Sequence, residues 1–145
     1  MDELTEWDMG FDFYAPQTFE APDGRRILIG WAGVPDAGYD SNPMEEGWQH
    51  WLTVPRELTW HNGKIYQYPV RELTKLRGGE WMPDNTGRVT IPGKCGEIIA
   101  EDIRTEQGAV YMDSGCVIKW DIGYVTLSFQ DEPGAGRSVR NARVS

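Results

Sequence analysis

Short runs of apolar and alternating residues, broken every few positions by glycine or proline, extend along the whole chain. Strands at such spacing predict an all-β protein. Residues 25–32, with Ile27-Leu28-Ile29 at their centre, predict a buried strand, and residues 51–54 predict another. Leu58-Thr59-Trp60 and Lys64-Ile65-Tyr66-Gln67 flank His61-Asn62-Gly63, and Asn-Gly between apolar runs predicts a hairpin, because both residues tolerate positive φ. Val70 to Arg77 is the one helical stretch, with Val70, Leu73 and Leu76 or Arg77 on one side and Gly78-Gly79 to end it. Glu80 to Gly93 reads as a loop. Strands return over Glu97–Arg104 (with Ile98, Ile99 and Ile103), Cys116–Trp120 and Tyr124–Phe129, the last alternating cleanly so that one face is buried and one wet. Gly134-Ala135-Gly136 then turns the chain into Ser138–Val144.

Composition narrows the class. The 145 residues are 39% hydrophobic and 26% charged, too apolar for a disordered chain, and sufficient for one domain with a modest core. Seven Trp, six Tyr and four Phe suit sugar rings and β cores alike. A net charge of −9 excludes nucleic acid and anionic membranes as natural partners, since both need clustered cations. Met1 to Glu6 is acidic and has no apolar run, so no signal peptide is expected, and no stretch reaches transmembrane length. Cys95 and Cys116 have neither CxxC spacing nor a nearby His, which argues against a metal site. A disulfide between them cannot be argued from sequence; buried free thiols and a cytoplasmic setting are the expectation.

One stretch is specific enough to suggest a family. Phe11-Asp12-Phe13-Tyr14-Ala15-Pro16-Gln17-Thr18-Phe19, followed by Ile27-Leu28-Ile29-Gly30-Trp31, resembles glycoside hydrolase family 32, the invertase and sucrose-6-phosphate hydrolase group. The resemblance continues through Gly47-Trp48-Gln49-His50, Leu52-Thr53-Val54-Pro55-Arg56-Glu57-Leu58 and Tyr68-Pro69-Val70-Arg71-Glu72-Leu73, and more weakly through Val125–Phe129 and Gly134–Arg140. It implies the last blade of a five-bladed β-propeller over residues 1–69, a helical linker over 70–79 and a partial C-terminal β-sandwich over 80–145. It also implies cleavage of β-fructofuranosidic bonds, in sucrose or sucrose 6-phosphate, without a cofactor or metal.

Retaining glycoside hydrolysis needs two carboxyl groups about 5 Å apart, one a nucleophile and one an acid/base. In the family the nucleophile lies in Asn-Asp-Pro-Asn-Gly, a transition-state-stabilising Asp in Arg-Asp-Pro, and the acid/base in Glu-Cys. None of these motifs occurs in the 145 residues. Met82-Pro83-Asp84-Asn85-Thr86-Gly87 and Lys94-Cys95-Gly96-Glu97 have similar letters in the wrong order. No catalytic residue is therefore expected here, and the chain alone should be inactive.

The resemblance instead points to substrate-binding residues. Tyr14 would stand at the rim of the central funnel with its hydroxyl near the acid/base; otherwise it is a core Tyr on a half-buried strand. Trp31 would line the fructose pocket, or else end a buried strand as a core residue. Ala32 stands where family members often carry Met. Asp12 would orient a sugar hydroxyl or cap a turn, and Gln17 would bond to the scaffold or to substrate. Gly30, lacking a side chain, lets a neighbour approach. Arg56 and Glu57 suit ion pairing, His50 and His61 read as structural and solvated, and Trp48, Trp51, Trp60, Tyr66 and Tyr68 read as packing.

A lone blade and a partial sandwich would leave flanks and edges unpaired, so a homodimer or a companion fragment is expected. The alternatives are a non-catalytic carbohydrate-binding β module and a structural subunit that completes a split propeller.

Overall fold

The computed structural model describes residues 6–10, 12–35, 47–48, 50–93, 95–101, 103–129 and 140–143. Nine strands and one short helix lie among them, so the fold is mostly β. Strands β1 (Tyr14–Glu20), β2 (Arg26–Ala32), β3 (Trp51–Leu52), β4 (Arg56–His61) and β5 (Lys64–Pro69) form one antiparallel sheet in the order β1-β2-β4-β5, with β3 also paired to β2. Strands β6 (Gly108–Tyr111), β7 (Cys116–Asp121), β8 (Tyr124–Phe129) and β9 (Arg140–Arg143) form a second antiparallel meander. Two compact units are distinguished: Arg71–Arg104 is one, and the rest of the chain is the other.

Local chemistry sets the registers. The β1–β2 turn bonds Ala21 N–H to the Arg25 carbonyl and Gly24 N–H to the Ala21 carbonyl, with Gly24 at φ 84°. The β6–β7 turn repeats the pattern between Met112 and Cys116, with Gly115 at φ 82°. A left-handed residue at that position closes a three-residue hairpin loop, and glycine adopts it without a Cβ clash. The predicted hairpin is present as β4–β5: His61 pairs with Lys64, and Asn62 and Gly63 take φ 49° and 77°.

The line of β3 and β4 along β2 is broken once. Pro55 has no N–H to donate. Thr53 repairs the gap: its N–H bonds to the Gly30 carbonyl at 2.8 Å, and its Oγ1 accepts from Gly30 N–H at 3.0 Å. The strand predicted over residues 51–54 is for this reason only Trp51–Leu52.

Two further expectations need correction. The helix is a 3-10 turn over Arg71–Leu76 with no buried residue; three residues per turn still align Val70, Leu73 and Leu76. Glu97–Arg104 is not a strand among its described residues, and Ile98, Ile99 and Ile103 are each about half exposed. A strand needs a neighbour for its N–H and C=O groups, and none pairs with this run. Glu80–Gly93 is a loop, as expected, and Ser138–Val144 contributes β9 over Arg140–Arg143. The predicted turn at Gly134–Gly136 lies outside the described residues.

Among the described residues, the buried apolar side chains are Ile27, Leu28 and Val117. Trp48 and Trp51 pack edge to face on each other at 5.3 Å, but both, with Trp60, Tyr66 and Tyr68, remain exposed, so among the described residues the expected packing role is met only in part. The strand positions of Trp51, Trp60, Tyr66 and Tyr68 were readable; a second layer to cover them was not. Nor do the described residues form a closed propeller or a two-sheet sandwich. No helix among them is long and apolar enough to cross a membrane.

Candidate functional site

Tyr14 and Trp31 are brought opposite each other by a register irregularity. Moving away from the Gly24 turn, Glu20 pairs with Arg26, Phe19 with Ile27, Thr18 with Leu28 and Gln17 with Ile29. The next pair is Tyr14 with Trp31, so β1 advances three residues while β2 advances two. This is a β-bulge. Without it Ala15 would oppose Trp31, and alternation would send Tyr14 to the other face. The bulge is made by Ala15 at φ 45° and by Pro16, which has no ladder N–H. A non-glycine residue held there costs about 1–3 kcal/mol, and such strain tends to cluster at functional sites.

The resulting aromatic face is compact. The Tyr14 and Trp31 ring centroids lie 6.1 Å apart at 78°, and His50 packs on Trp31 at 4.9 Å and 74°. Both are edge-to-face contacts of the kind favoured by ring quadrupoles. Leu52 pairs with Trp31 from the other side of β2. Gly33 is needed beneath the indole, since a Cβ there would come within 2.4 Å of it. Tyr14 is half exposed, so its hydroxyl can reach a ligand. Gln17 is exposed on the same face, one pair further along β1. Asp12 is partly buried in the segment leading into β1. The expectation for Gly30 is met directly: the Phe13 ring lies 2.4 Å from where a Cβ would stand.

The two carboxylates with near-miss motifs are both occupied. Asp84 Oδ1 accepts from Thr86 N–H, Thr86 Oγ1 and Arg88 N–H, closing its own turn. These bonds, the Thr86 side chain first, hold its pKa below the ordinary value. Glu97 receives a two-pronged pair from Arg77 at 2.6 and 3.0 Å, which lowers its pKa likewise. Neither geometry leaves a free acid poised against a nucleophile. Among the described residues, no group of three or more His, Cys, Asp or Glu side chains could hold a metal ion. Cys95 is exposed, which corrects the expectation that both thiols are buried; Cys116 is partly buried, and desolvation raises its pKa.

Sequence reasoning missed three parts of this arrangement. It took His50 as structural without placing it on Trp31. It paired Arg56 and Glu57 only in general terms, whereas Arg56 binds Asp8 at 2.6 Å and Glu57 binds Arg25 at 3.4 Å. It also passed over the bulge, for which Ala15-Pro16 inside a β-prone run was the available signal.

Comparison with known proteins gives the family and the fold of the chain. Residues 1–69 match the family model described as the glycosyl hydrolases family 32 N-terminal domain. The chain is 39% identical to a sucrose-6-phosphate hydrolase of Bacillus subtilis (strain 168) over 153 aligned positions, covering 98% of this chain and 32% of that protein. It is 55% identical to a sucrose-6-phosphate hydrolase of Klebsiella pneumoniae over 76 residues, covering 52% of this chain and 16% of that protein. A solved sucrose-6-phosphate hydrolase from Lactobacillus gasseri superposes with a TM-score of 0.68 at 23% identity, covering 95% of this chain and 31% of that one, and shares its fold. The chain thus spans about a third or less of the length of these relatives. By sequence homology and by fold, the chain belongs to glycoside hydrolase family 32.

Proposed function

We propose that this chain forms part of a retaining β-fructofuranosidase that hydrolyses sucrose or sucrose 6-phosphate. It contributes one wall of the pocket, not the reacting acids. The observation that carries this reading is the bulge that sets Tyr14 against Trp31 on one face of the sheet. An exposed phenol beside an indole offers a hydrogen-bond donor and an apolar plane, the two things a sugar ring needs. In this reading Trp31 lines the fructose ring, Tyr14 donates to the acid/base carboxylate, and Asp12 and Gln17 orient sugar hydroxyls. The nucleophile and acid/base come from outside these 145 residues.

The domain reading follows. Residues 1–69 form a propeller blade, 70–79 a linker and 80–145 part of a sandwich. It is supported by two separate antiparallel sheets and by a family match that ends at residue 69. Exposed aromatic side chains on the first sheet favour a companion segment or a second copy over a free monomer. A cytoplasmic location fits the two free thiols.

The test is direct. The chain incubated with sucrose releases no glucose. Mixed with a fragment carrying Asn-Asp-Pro-Asn-Gly, Arg-Asp-Pro and Glu-Cys, it restores turnover. In that complex Tyr14→Phe lowers turnover about ten- to a hundredfold, the worth of a hydrogen bond to a charged partner. Turnover by the chain alone, or an unaffected Tyr14→Phe complex, refutes the reading.

A further inference from the structure

The face of the first sheet opposite the aromatic pair carries its own device. Strand alternation puts Ile27, Ile29 and Trp31 on one face and Leu28 and Gly30 on the other. Arg56 pairs with Leu28 and shares that second face. Its guanidinium makes three contacts there. Nη2 binds Asp8 at 2.6 Å, Nη1 donates to Gln67 Oε1 at 3.1 Å, and the group lies 5.2 Å from the Phe13 ring centroid. Gln67 in turn donates from Nε2 to the Trp7 carbonyl at 2.6 Å. Phe13 itself occupies the space that Gly30 leaves open. Asp8 and Arg56 are only 15% and 22% exposed, so solvent screens their pair less than a surface pair.

These contacts hold a segment that would otherwise relax. Phe13 sits on the rear face, and Tyr14 follows it immediately on the front. The next residue, Ala15, is held at φ 45°. Freed from the rear face, the segment would return Ala15 to ordinary strand backbone, and the register would slip by one residue. Such a slip reverses every side chain beyond it. Asp8, Phe13 and Gln67 supply an ionic, a cation–π and a hydrogen-bonded anchor, all on one planar cation.

We propose that Arg56 is a positioning residue for the pocket wall: by clamping Trp7, Asp8 and Phe13 to the rear of the sheet it holds the bulge, and the bulge holds Tyr14 against Trp31. The assignment rests on the reading of that face as sugar-binding. Its geometry, however, can be measured without sugar.

The experiment follows cross-strand nuclear Overhauser effects in the full chain and in Arg56→Met, Arg56→Lys and Asp8→Asn. Two signals are read: Tyr14 to Trp31, and Trp60 to Ile65 in the β4–β5 hairpin. Arg56→Met loses the first and keeps the second, and Arg56→Lys, which can still pair with Asp8, recovers part of the first. Retention of the Tyr14–Trp31 signal in Arg56→Met overturns the proposal. If Arg56→Met loses both signals, Asp8→Asn decides: selective weakening of the first supports the clamp, and equal or no weakening overturns it. A sucrose titration of the same samples is scored separately. Absence of sugar shifts beside a selective Tyr14 effect would refute the pocket and leave the clamp standing.

Discussion

At the scale of single residues, the closest fits in this chain are between a glycine and an aromatic ring. Gly108 pairs with Trp120 across β6 and β7, and a Cβ on Gly108 would come within 1.9 Å of the indole. Among the described residues the buried Trp120 Nε1 has no hydrogen-bond partner, so the indole's fit against Gly108 is one of packing. Gly108→Ala forces the indole out of its site, and overpacking of this kind costs about 1–3 kcal/mol. The expected result is a lowered denaturant midpoint and a red-shifted tryptophan emission; an unchanged midpoint would show that the ring moves freely. Leu28 is the opposite case. It is fully buried, so Leu28→Ala removes packing and leaves a void, at a cost of about 2–5 kcal/mol. Few other positions in the described sheets should be as sensitive, because so few side chains are enclosed.

At the scale of elements, legibility followed how local the determinant was. The Asn62-Gly63 turn was readable because two adjacent residues carry the whole requirement for positive φ. Tyr124–Phe129 was readable as a strand from its alternation, but the expected dry and wet faces are not seen, since Val125 to Ser128 are all partly buried. Glu97–Arg104 misled because Ile98, Ile99 and Ile103 record β propensity, and propensity does not supply a neighbouring strand. Tyr14 and Trp31 were legible as candidates only through family resemblance; their juxtaposition depends on a bulge that hydrophobic pattern does not encode. The compact unit Arg71–Arg104 has no strand among its described residues, and charged groups supply hydrogen bonds within it. Asp84 and Glu97 both have folded pKa values lowered from their ordinary values, by hydrogen bonds from Thr86 and from Arg77 respectively. A depressed carboxylate adds stability above its unfolded pKa and loses it as pH falls through the folded value. Amide exchange at Thr86 and Arg88 should therefore stay slow at neutral pH and accelerate as pH drops below about 4, relative to intrinsic rates. Asp84→Asn should show the faster exchange already at neutral pH. Protection that persists unchanged at pH 2 would rule out this account.

At the scale of the molecule, the first sheet presents more aromatic surface than its core can use. Trp48, Trp51, Trp60, Tyr66 and Tyr68 are each between 44% and 78% exposed. A large aromatic side chain buries about 150–250 Å² when covered. Alternation divides the strand residues between the two faces, Trp51 and Trp60 on the side of Leu28 and Tyr66 and Tyr68 on the side of Trp31, so both faces must be covered to approach the roughly 800 Å² per partner that a stable association uses. A net charge of −9 opposes contact between identical chains, yet screening at physiological salt confines that repulsion to about 8 Å, while the apolar gain persists. Added salt should therefore promote self-association of the chain. The expected outcome in sedimentation velocity is a monomer–dimer shift that moves toward dimer from low to physiological ionic strength. Trp60→Ser with Tyr68→Ser should move it back toward monomer, because it removes a ring 70% exposed on one face of the sheet and a ring 78% exposed on the other. A single monomeric boundary at all concentrations and salt levels would mean that the exposed aromatic rings do not drive association. The same double variant should also weaken complementation by a fragment that supplies the catalytic acids, if that fragment covers either ring.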